Sequence, residues 1–142
     1  MKRLLVDMDG VLADIYGQLI AHDARASGRR KTLAEVIGMA EVDAFPGLDA
    51  YIHQPGFFRE APVMADSQKI LAELNARYEV FIVSAATQFP LSLAEKQAWL
   101  GEHFPFITWE QLVLCGSKRV VHGDIMIDDH FRNLDFFKGR TL

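Results

Sequence analysis

Acidic and hydroxyl side chains stand at the ends of short apolar runs in this 142-residue chain. Asp7 and Asp9 follow the first run, Ser84 lies near the end of a second, and Asp128 and Asp129 follow a later one. Short apolar runs predict buried strands, and the carboxyl ends of parallel strands meet at one edge of a sheet. We therefore expect these groups to lie together, although Asp7-x-Asp9 taken alone is equally typical of a turn.

A metal site is the chemistry that such a cluster favours. Four converging carboxylates repel one another unless a cation lies among them. Oxygen ligands suit Mg²⁺, which keeps part of its water shell and completes its coordination with a phosphate oxygen of the substrate. Asp7, Asp9, Asp128 and Asp129 are therefore the predicted metal ligands.

A phosphate site is expected beside the metal. Lys118 follows a third apolar run and would place a positive charge opposite a phosphate. Ser84 offers a hydroxyl donor, and the backbone N–H of Ala85 would hold a second phosphoryl oxygen. Lys96, near the start of the helix after the second strand, is the alternative phosphate lysine, and its other interpretation is an ordinary solvated helix residue. The choice between Lys118 and Lys96 stays open.

The elements that must position these groups alternate along the chain. Hydrophobic periodicity, capping boxes and glycine stops predict helices at 14–27, from Thr32, at 67–77, from the Ser92–Glu95 capping box to Gly101, and at 132–138. Apolar runs predict strands at 3–8, 79–85, 111–115 and 124–127. Strands separated by helices imply right-handed crossovers, hence a parallel sheet covered on both faces. The predicted fold is a Rossmann-like three-layer α/β core.

A small, mainly helical cap is expected between the first strand and the helix before the second. Residues 15–64 exceed an ordinary crossover, so we interpret them as an insertion, with the catalytic core formed by residues 1–14 and 65–142. Residues 44–63 are rich in proline, glycine and aromatics. Their aromatic side chains need burial, so we predict an irregular but ordered segment.

Composition excludes several classes of protein. A net charge of −4 gives no general attraction to a nucleic-acid polymer or an anionic membrane. The single cysteine, Cys115, excludes an internal disulfide framework and a multi-cysteine zinc site. The longest uncharged run, Val80–Ala94, contains Pro90 and is too short to span a bilayer, and the N-terminus has no signal-peptide core. We expect a soluble, cytoplasmic protein that acts on a small molecule; a homodimer is left open.

The order of the charged motifs resembles the haloacid dehalogenase superfamily of phosphotransferases. Its four motifs stand in sequence as Asp7-Met-Asp9-Gly-Val, Ser84, Lys118 and Asp128-Asp129. A receiver domain of two-component signalling has similar ingredients, but there the lysine comes last and the accepting aspartate lies mid-chain. The order found here therefore favours the phosphotransferase.

A narrower resemblance is to the 5′(3′)-deoxyribonucleotidases. It rests on further segments, quoted as they stand: DMDGVLAD from Asp7, PGFFRE from Pro55, VSAA with Phe89-Pro90, EKQAW from Glu95, and SKRVV leading into Ile127-Asp-Asp129. The resemblance implies Mg²⁺-dependent hydrolysis of a deoxyribonucleoside monophosphate through an aspartyl-phosphate. Another phosphatase of the superfamily and a non-catalytic phosphate-binding regulatory domain are the alternatives.

Individual roles follow from the resemblance. Asp7 is the expected nucleophile and Asp9 the general acid and base. Asp129 is favoured over Asp128 as the direct metal ligand. Two departures are noted: His130 stands where animal members carry a basic residue associated with substrate contact, and relatives continue through another strand and tail beyond Leu142, which leaves a fifth strand open.

The expected substrate wall lies in the cap. We expect Phe57 and Phe58 either to stack on a base of the substrate or to pack the cap onto the core, and the sequence favours neither role. Lys96 and His130 complete the candidate substrate-binding residues.

Overall fold

A parallel sheet of five strands organises the molecule, described here from a computed structural model covering residues 1–142. The strands are β1 (Arg3–Val6), β2 (Glu79–Ala85), β3 (Leu112–Cys115), β4 (Ile125–Ile127) and β5 (Arg140–Thr141), in the spatial order β3-β2-β1-β4-β5. The four strands expected from the apolar runs are confirmed. The fifth, left open by the sequence, forms a short parallel pair with β4 at the sheet edge.

Seven helices connect the strands or build the segment between β1 and β2. They are α1 (Ile15–Ser27), α2 (Leu33–Val36), α3 (Glu41–Ala44), α4 (Leu48–Ile52), α5 (Ser67–Asn75), α6 (Pro90–His103) and α7 (Phe131–Leu134). Asp14 caps α1 by accepting from the N–H of Gly17 at 2.9 Å, and Gly28 ends it with φ +75°. The Thr32–Glu35 capping box opens α2 as expected. No helix is both long and apolar enough to cross a membrane.

The two faces of the sheet are unequally covered. On one face, Leu71 of α5 and Trp99 and Leu100 of α6 pack against Leu4 and Ile82 in the main hydrophobic core. The smaller cluster on the other face is centred on three buried residues, Leu5, Val83 and Met126. It is flanked by partly buried side chains from loops and from the short helix α7. The α/β architecture is confirmed, with its larger helical layer on the α5–α6 side.

The segment between β1 and β2 has a hydrophobic cluster of its own. It is formed by α1, the short helices α2 to α4 and the aromatics that follow them, including Leu19, Phe45, Tyr51, Phe57 and Phe58. The expectation of an irregular segment over residues 44–63 is only partly right. Helix α4 lies within it, since Leu48, Tyr51 and Ile52 stand at helical spacing and pack in this cluster, whereas residues 53–63 contain no further helix or strand. The two ends of the excursion meet where Asp14 N–H donates to Pro62 and Met64 N–H donates to Leu12. The exact division into cap and core stays a prediction.

The start of α6 differs from the prediction. The helix begins at Pro90, two residues before the expected capping box, because proline tolerates the first turn, where its missing N–H has no partner to lose. Ser92 donates instead to the carbonyl of Ala86 at 2.9 Å, and Glu95 accepts from the N–H of Gly56. The predicted Ser92–Glu95 capping box is therefore wrong. The last helix, α7, is also shorter and earlier than expected.

Candidate active site

Two neighbouring strands place two carboxylates side by side. Asp7 follows β1 directly, and its N–H still pairs with the carbonyl of Ile127 in β4 at 2.8 Å. Asp128 follows β4, is buried, and accepts from the backbone of His130 at 2.9 Å and from Asn133 at 3.0 Å. Carboxylate oxygens of Asp7, Asp128 and Asp129 lie within 4.8 Å of one another.

Lys118 joins two of these carboxylates. Its ammonium lies 2.6 Å from Asp7 and 2.6 Å from Asp128, and the side chain is almost fully buried. Burial raises the pKa of Asp7 to about 7, with the negative charges of Asp128 and Asp9 adding to the rise and Lys118 opposing it. Burial also works against the charge of Lys118, but the two carboxylates raise its pKa overall. Burial disfavours the charged forms of both Asp7 and Lys118, and each of the two groups stabilises the charged form of the other.

Asp9 has a different partner. Its Oδ2 accepts from Lys96 at 2.8 Å, and the same ammonium donates to the hydroxyl of Ser84 at 2.8 Å. The Oδ1 of Asp9 is buried without a hydrogen-bond partner. The carboxylate of Asp9 is not part of the three-carboxylate cluster, so the structure groups three of the four predicted ligands by their side chains.

Both candidate lysines reach the site. Lys118 lies between Asp7 and Asp128, while Lys96 lies between Asp9 and Ser84. Lys96 is only 1% exposed, so its interpretation as a solvated helix residue is wrong. Helix α6 carries it over the end of β2, which the helical pattern alone did not reveal.

A glycine allows Asp129 to approach the first motif. The strand ends at Val6, earlier than expected, and the chain turns at Gly10 with φ +80°. A Cβ at Gly10 would stand 2.1 Å from Oδ2 of Asp129, so no larger residue fits without moving that carboxylate. The side chain of Asp129 stays 37% exposed, and Nε2 of His130 lies 3.9 Å from its Oδ1.

Aromatic side chains also line the same cleft. Phe57 and Phe58 are buried, with ring centroids 5.0 Å apart in an edge-to-face arrangement, and Phe89 lies 6.1 Å from Phe58. The ammonium of Lys96 stands 4.8 Å from the centroid of Phe58. Both phenylalanines pack within the segment between β1 and β2 and border the cleft while only 1% and 5% exposed, so the structure shows the packing role, and contact with a base stays a prediction.

The rim of the cleft contains residues that the sequence analysis did not single out. They are Glu41, Gln88, Arg132 and Asn133, and they line it together with Ala85 and His130. Asn133 donates to both oxygens of Asp128 at 3.0 Å. Asn133 could have been found only from its position, five residues after Asp128 and on the helix that follows.

Comparisons with known proteins identify one family of similar sequences. Residues 1–142 match the family described as 5′ nucleotidase, deoxy (pyrimidine), cytosolic type C protein. A 5′(3′)-deoxyribonucleotidase of Bacillus subtilis is 34% identical over 146 residues, which cover 100% of this chain and 84% of that protein. A Staphylococcus aureus protein is 38% identical over 146 residues, covering 99% of this chain and 81% of its own length.

Among solved structures, a haloacid dehalogenase-like hydrolase from Streptococcus pneumoniae has the same fold. The TM-score is 0.56 at 13% sequence identity, and the match covers 96% of this chain and 79% of the other. At that identity the likeness concerns the fold alone.

Proposed function

Since the chain belongs to the 5′ nucleotidase, deoxy (pyrimidine), cytosolic type C family and is therefore a phosphomonoester hydrolase, we propose that its substrate is a deoxyribonucleoside 5′- or 3′-monophosphate. The named Bacillus subtilis relative supports this substrate class. The observation that carries the proposal is the cleft itself, which is lined by Asp7, Asp9 and Ser84 and also by Phe57, Phe58 and Phe89. A phosphate and an aromatic base require these two kinds of wall.

Asp7 is the nucleophile in this proposal. Its carboxylate attacks phosphorus, a new O–P bond forms, and the ester P–O bond breaks. Asp9 gives a proton to the departing alkoxide, then removes a proton from the water that cleaves the aspartyl-phosphate. Phosphate and the free carboxylate of Asp7 result. Lys96 occupies Oδ2 of Asp9, which leaves the unpartnered Oδ1 to carry the proton.

Ser84, Ala85 and the two lysines hold the phosphoryl group. The Ser84 hydroxyl is oriented by Lys96 at the end of β2, and Ala85 follows it on the rim of the cleft. Lys118 opposes the rise that burial causes in the pKa of Asp7 and holds its carboxylate through a contact at 2.6 Å. Positive charge at this place stabilises the oxygens on which charge changes during the transfer.

The acidic cluster fits magnesium by its chemistry. Asp7, Asp128 and Asp129 provide only oxygen donors, and their oxygens are near enough to share one ion. When bound there, Mg²⁺ would supply positive charge to the carboxylates and to the phosphate of the substrate. Both oxygens of Asp128 already accept hydrogen bonds, whereas the Asp129 side chain accepts none and has Nε2 of His130 at 3.9 Å. This difference supports Asp129 as the direct ligand and Asp128 as the ligand acting through water.

A panel of phosphate monoesters assayed with Mg²⁺ tests the proposal. We expect deoxyribonucleoside monophosphates to have higher kcat/KM values than sugar phosphates or p-nitrophenyl phosphate, and EDTA to abolish the activity. Asp7→Asn is the matched inactive control. Turnover of a sugar phosphate without detectable hydrolysis of any deoxynucleotide would disprove the substrate class and leave only the phosphatase chemistry.

A further inference from the structure

Side chains on one face of helix α6 bind the short segment that carries the two phenylalanines. Glu95 accepts from the N–H of Gly56, and Trp99 donates to the carbonyl of Ala61 at 2.7 Å. One turn further, Glu102 forms an ion pair with Arg59 at 2.5 Å. Residues 95, 99 and 102 follow helical spacing, so a single helix face holds residues 56–61.

The next residue of the same helix faces the catalytic groups. Lys96 holds Asp9 and Ser84 at 2.8 Å each, and its ammonium stands 4.8 Å from the ring centroid of Phe58. Neighbouring residues of α6 therefore hold both sets of groups: Lys96 binds Asp9 and Ser84, and Glu95 binds the segment that carries the phenylalanines. Their relative position depends on one rigid element.

Glu95 is an unusual residue for a purely structural role. Its Oε1 accepts from Gly56, but its Oε2 is buried with no hydrogen-bond partner. A buried carboxylate oxygen without a partner costs free energy and calls for an explanation. The Gly56 N–H immediately precedes Phe57, and Gly56 has φ +91°, a left-handed conformation that directs the chain into the cleft wall.

We propose that Glu95 is a positioning residue that sets the place of Phe57 and Phe58 and thereby the preference of the enzyme for nucleotides over small phosphate esters. The inference rests on the proposed function, because it assumes that the base of the substrate contacts this wall. Glu95 acts through the Gly56 N–H and touches neither the phosphate nor Asp7. It therefore affects recognition of the base and leaves the phosphoryl transfer alone.

Steady-state kinetics of Glu95 variants test this role. With Glu95→Ala, we expect KM for a deoxyribonucleoside monophosphate to rise about tenfold, the lower end of what one base–aromatic stacking contact contributes, because the wall is no longer held in place. The kcat for that substrate and both constants for p-nitrophenyl phosphate should stay within about twofold of the wild type, since catalysis is untouched. Glu95→Gln keeps an oxygen that accepts from Gly56 and should restore KM.

Glu102→Ala is the matched control. It removes the same charge from the same helix face and frees the same segment from an ion pair, but both partners are about half exposed. An exposed pair contributes little, so KM should not change. Should Glu95→Ala fail to fold, Glu95→Asp replaces it, because the shorter carboxylate keeps the charge and falls short of Gly56.

Amide hydrogen exchange gives a readout independent of turnover. Gly56 should exchange faster in Glu95→Ala than in the wild type or in Glu102→Ala. Equal exchange in all three, equal losses on both substrates, or an unchanged KM in Glu95→Ala would each overturn the inference. A wild-type enzyme that hydrolyses no deoxynucleotide overturns the proposed function and this inference with it, whereas intact wild-type activity with unaffected variants overturns the inference alone.

Discussion

Replacement of the buried Lys96 by methionine provides the sharpest test of the site. The Lys96 side chain is 1% exposed and donates to Asp9 and Ser84 at 2.8 Å each. Methionine has a similar length and fills the same space, so the change removes the charge and both hydrogen bonds while retaining most of the packing. The expected effects are therefore electrostatic, on stability and on the general acid together.

The magnitude follows from the two lost contacts. A hydrogen bond between charged groups contributes about 1.5–3 kcal/mol, and the lower end applies here because 33% of the Asp9 side chain is exposed to water. The buried Ser84 hydroxyl, left without its partner, adds about 1 kcal/mol. The free energy of unfolding should thus fall by about 2–3 kcal/mol, which lowers Tm by about 5–10 °C for a chain of this size.

The Lys96→Met variant should also lose most of its activity. Asp9 loses the cation that orients it, and a general acid contributes about 10²–10⁴ to the rate. We expect kcat/KM for a deoxynucleotide to drop by at least about a hundredfold, measured well below the Tm of the variant. Lys69→Met, on the exposed face of α5, is the control and should leave both quantities unchanged.

A double-mutant cycle decides whether the contact is as described. Lys96→Met and Ser84→Ala should couple by about 1 kcal/mol in the free energy of unfolding, because the two side chains share a buried hydrogen bond. Additive effects, or a Lys96→Met variant whose free energy of unfolding lies within about 0.5 kcal/mol of the wild type, would mean that Lys96 does not bind Asp9 and Ser84 as the structure shows.

Three further predictions concern the carboxylates and the aromatic wall. Asp7→Asn should abolish turnover. In EDTA, Asp7→Asn should also raise Tm near pH 7.5, and this gain should fade towards pH 4. The pKa of Asp7 is about 7 in the folded protein and 3.8 ordinarily, so ionisation of Asp7 opposes folding more and more as the pH rises between those values. Mg²⁺ should raise the Tm of the wild type, and Asp129→Ala should weaken that shift more than Asp128→Ala; an equal or reversed order would mean that the direct ligand is misassigned. Phe58→Ala should lower kcat/KM for a deoxynucleotide by an amount equivalent to about 1–3 kcal/mol of transition-state stabilisation, and kcat/KM for p-nitrophenyl phosphate should fall much less. Equal losses on the two substrates would mean that the ring only packs the cleft wall.

Local patterns in the amino-acid sequence were enough to predict the strands and the order of the motifs. Residues 79–85 form β2 as the apolar run indicated, and Asp7, Ser84 and Asp128 stand at or just beyond strand ends. These features depend on local pattern: an apolar run predicts a buried strand whichever helix later covers it, and parallel connections bring the strand ends to one edge. Family resemblance then identified the chemistry without any distance between side chains.

The pairing of the charged groups depends on long-range packing and could not be predicted from local patterns. Lys96 is 87 residues from Asp9 in the chain, and Glu95 is 39 residues from Gly56. No local pattern separates a lysine on a solvated helix face from one buried over the end of β2. The same packing moved the start of α6, because Ser92 and Glu95 found partners in Ala86 and Gly56 instead of capping the helix. A side chain that can satisfy either a local or a distant backbone group takes the one that burial makes costly to leave unpaired, and only the folded chain brings the distant group within reach.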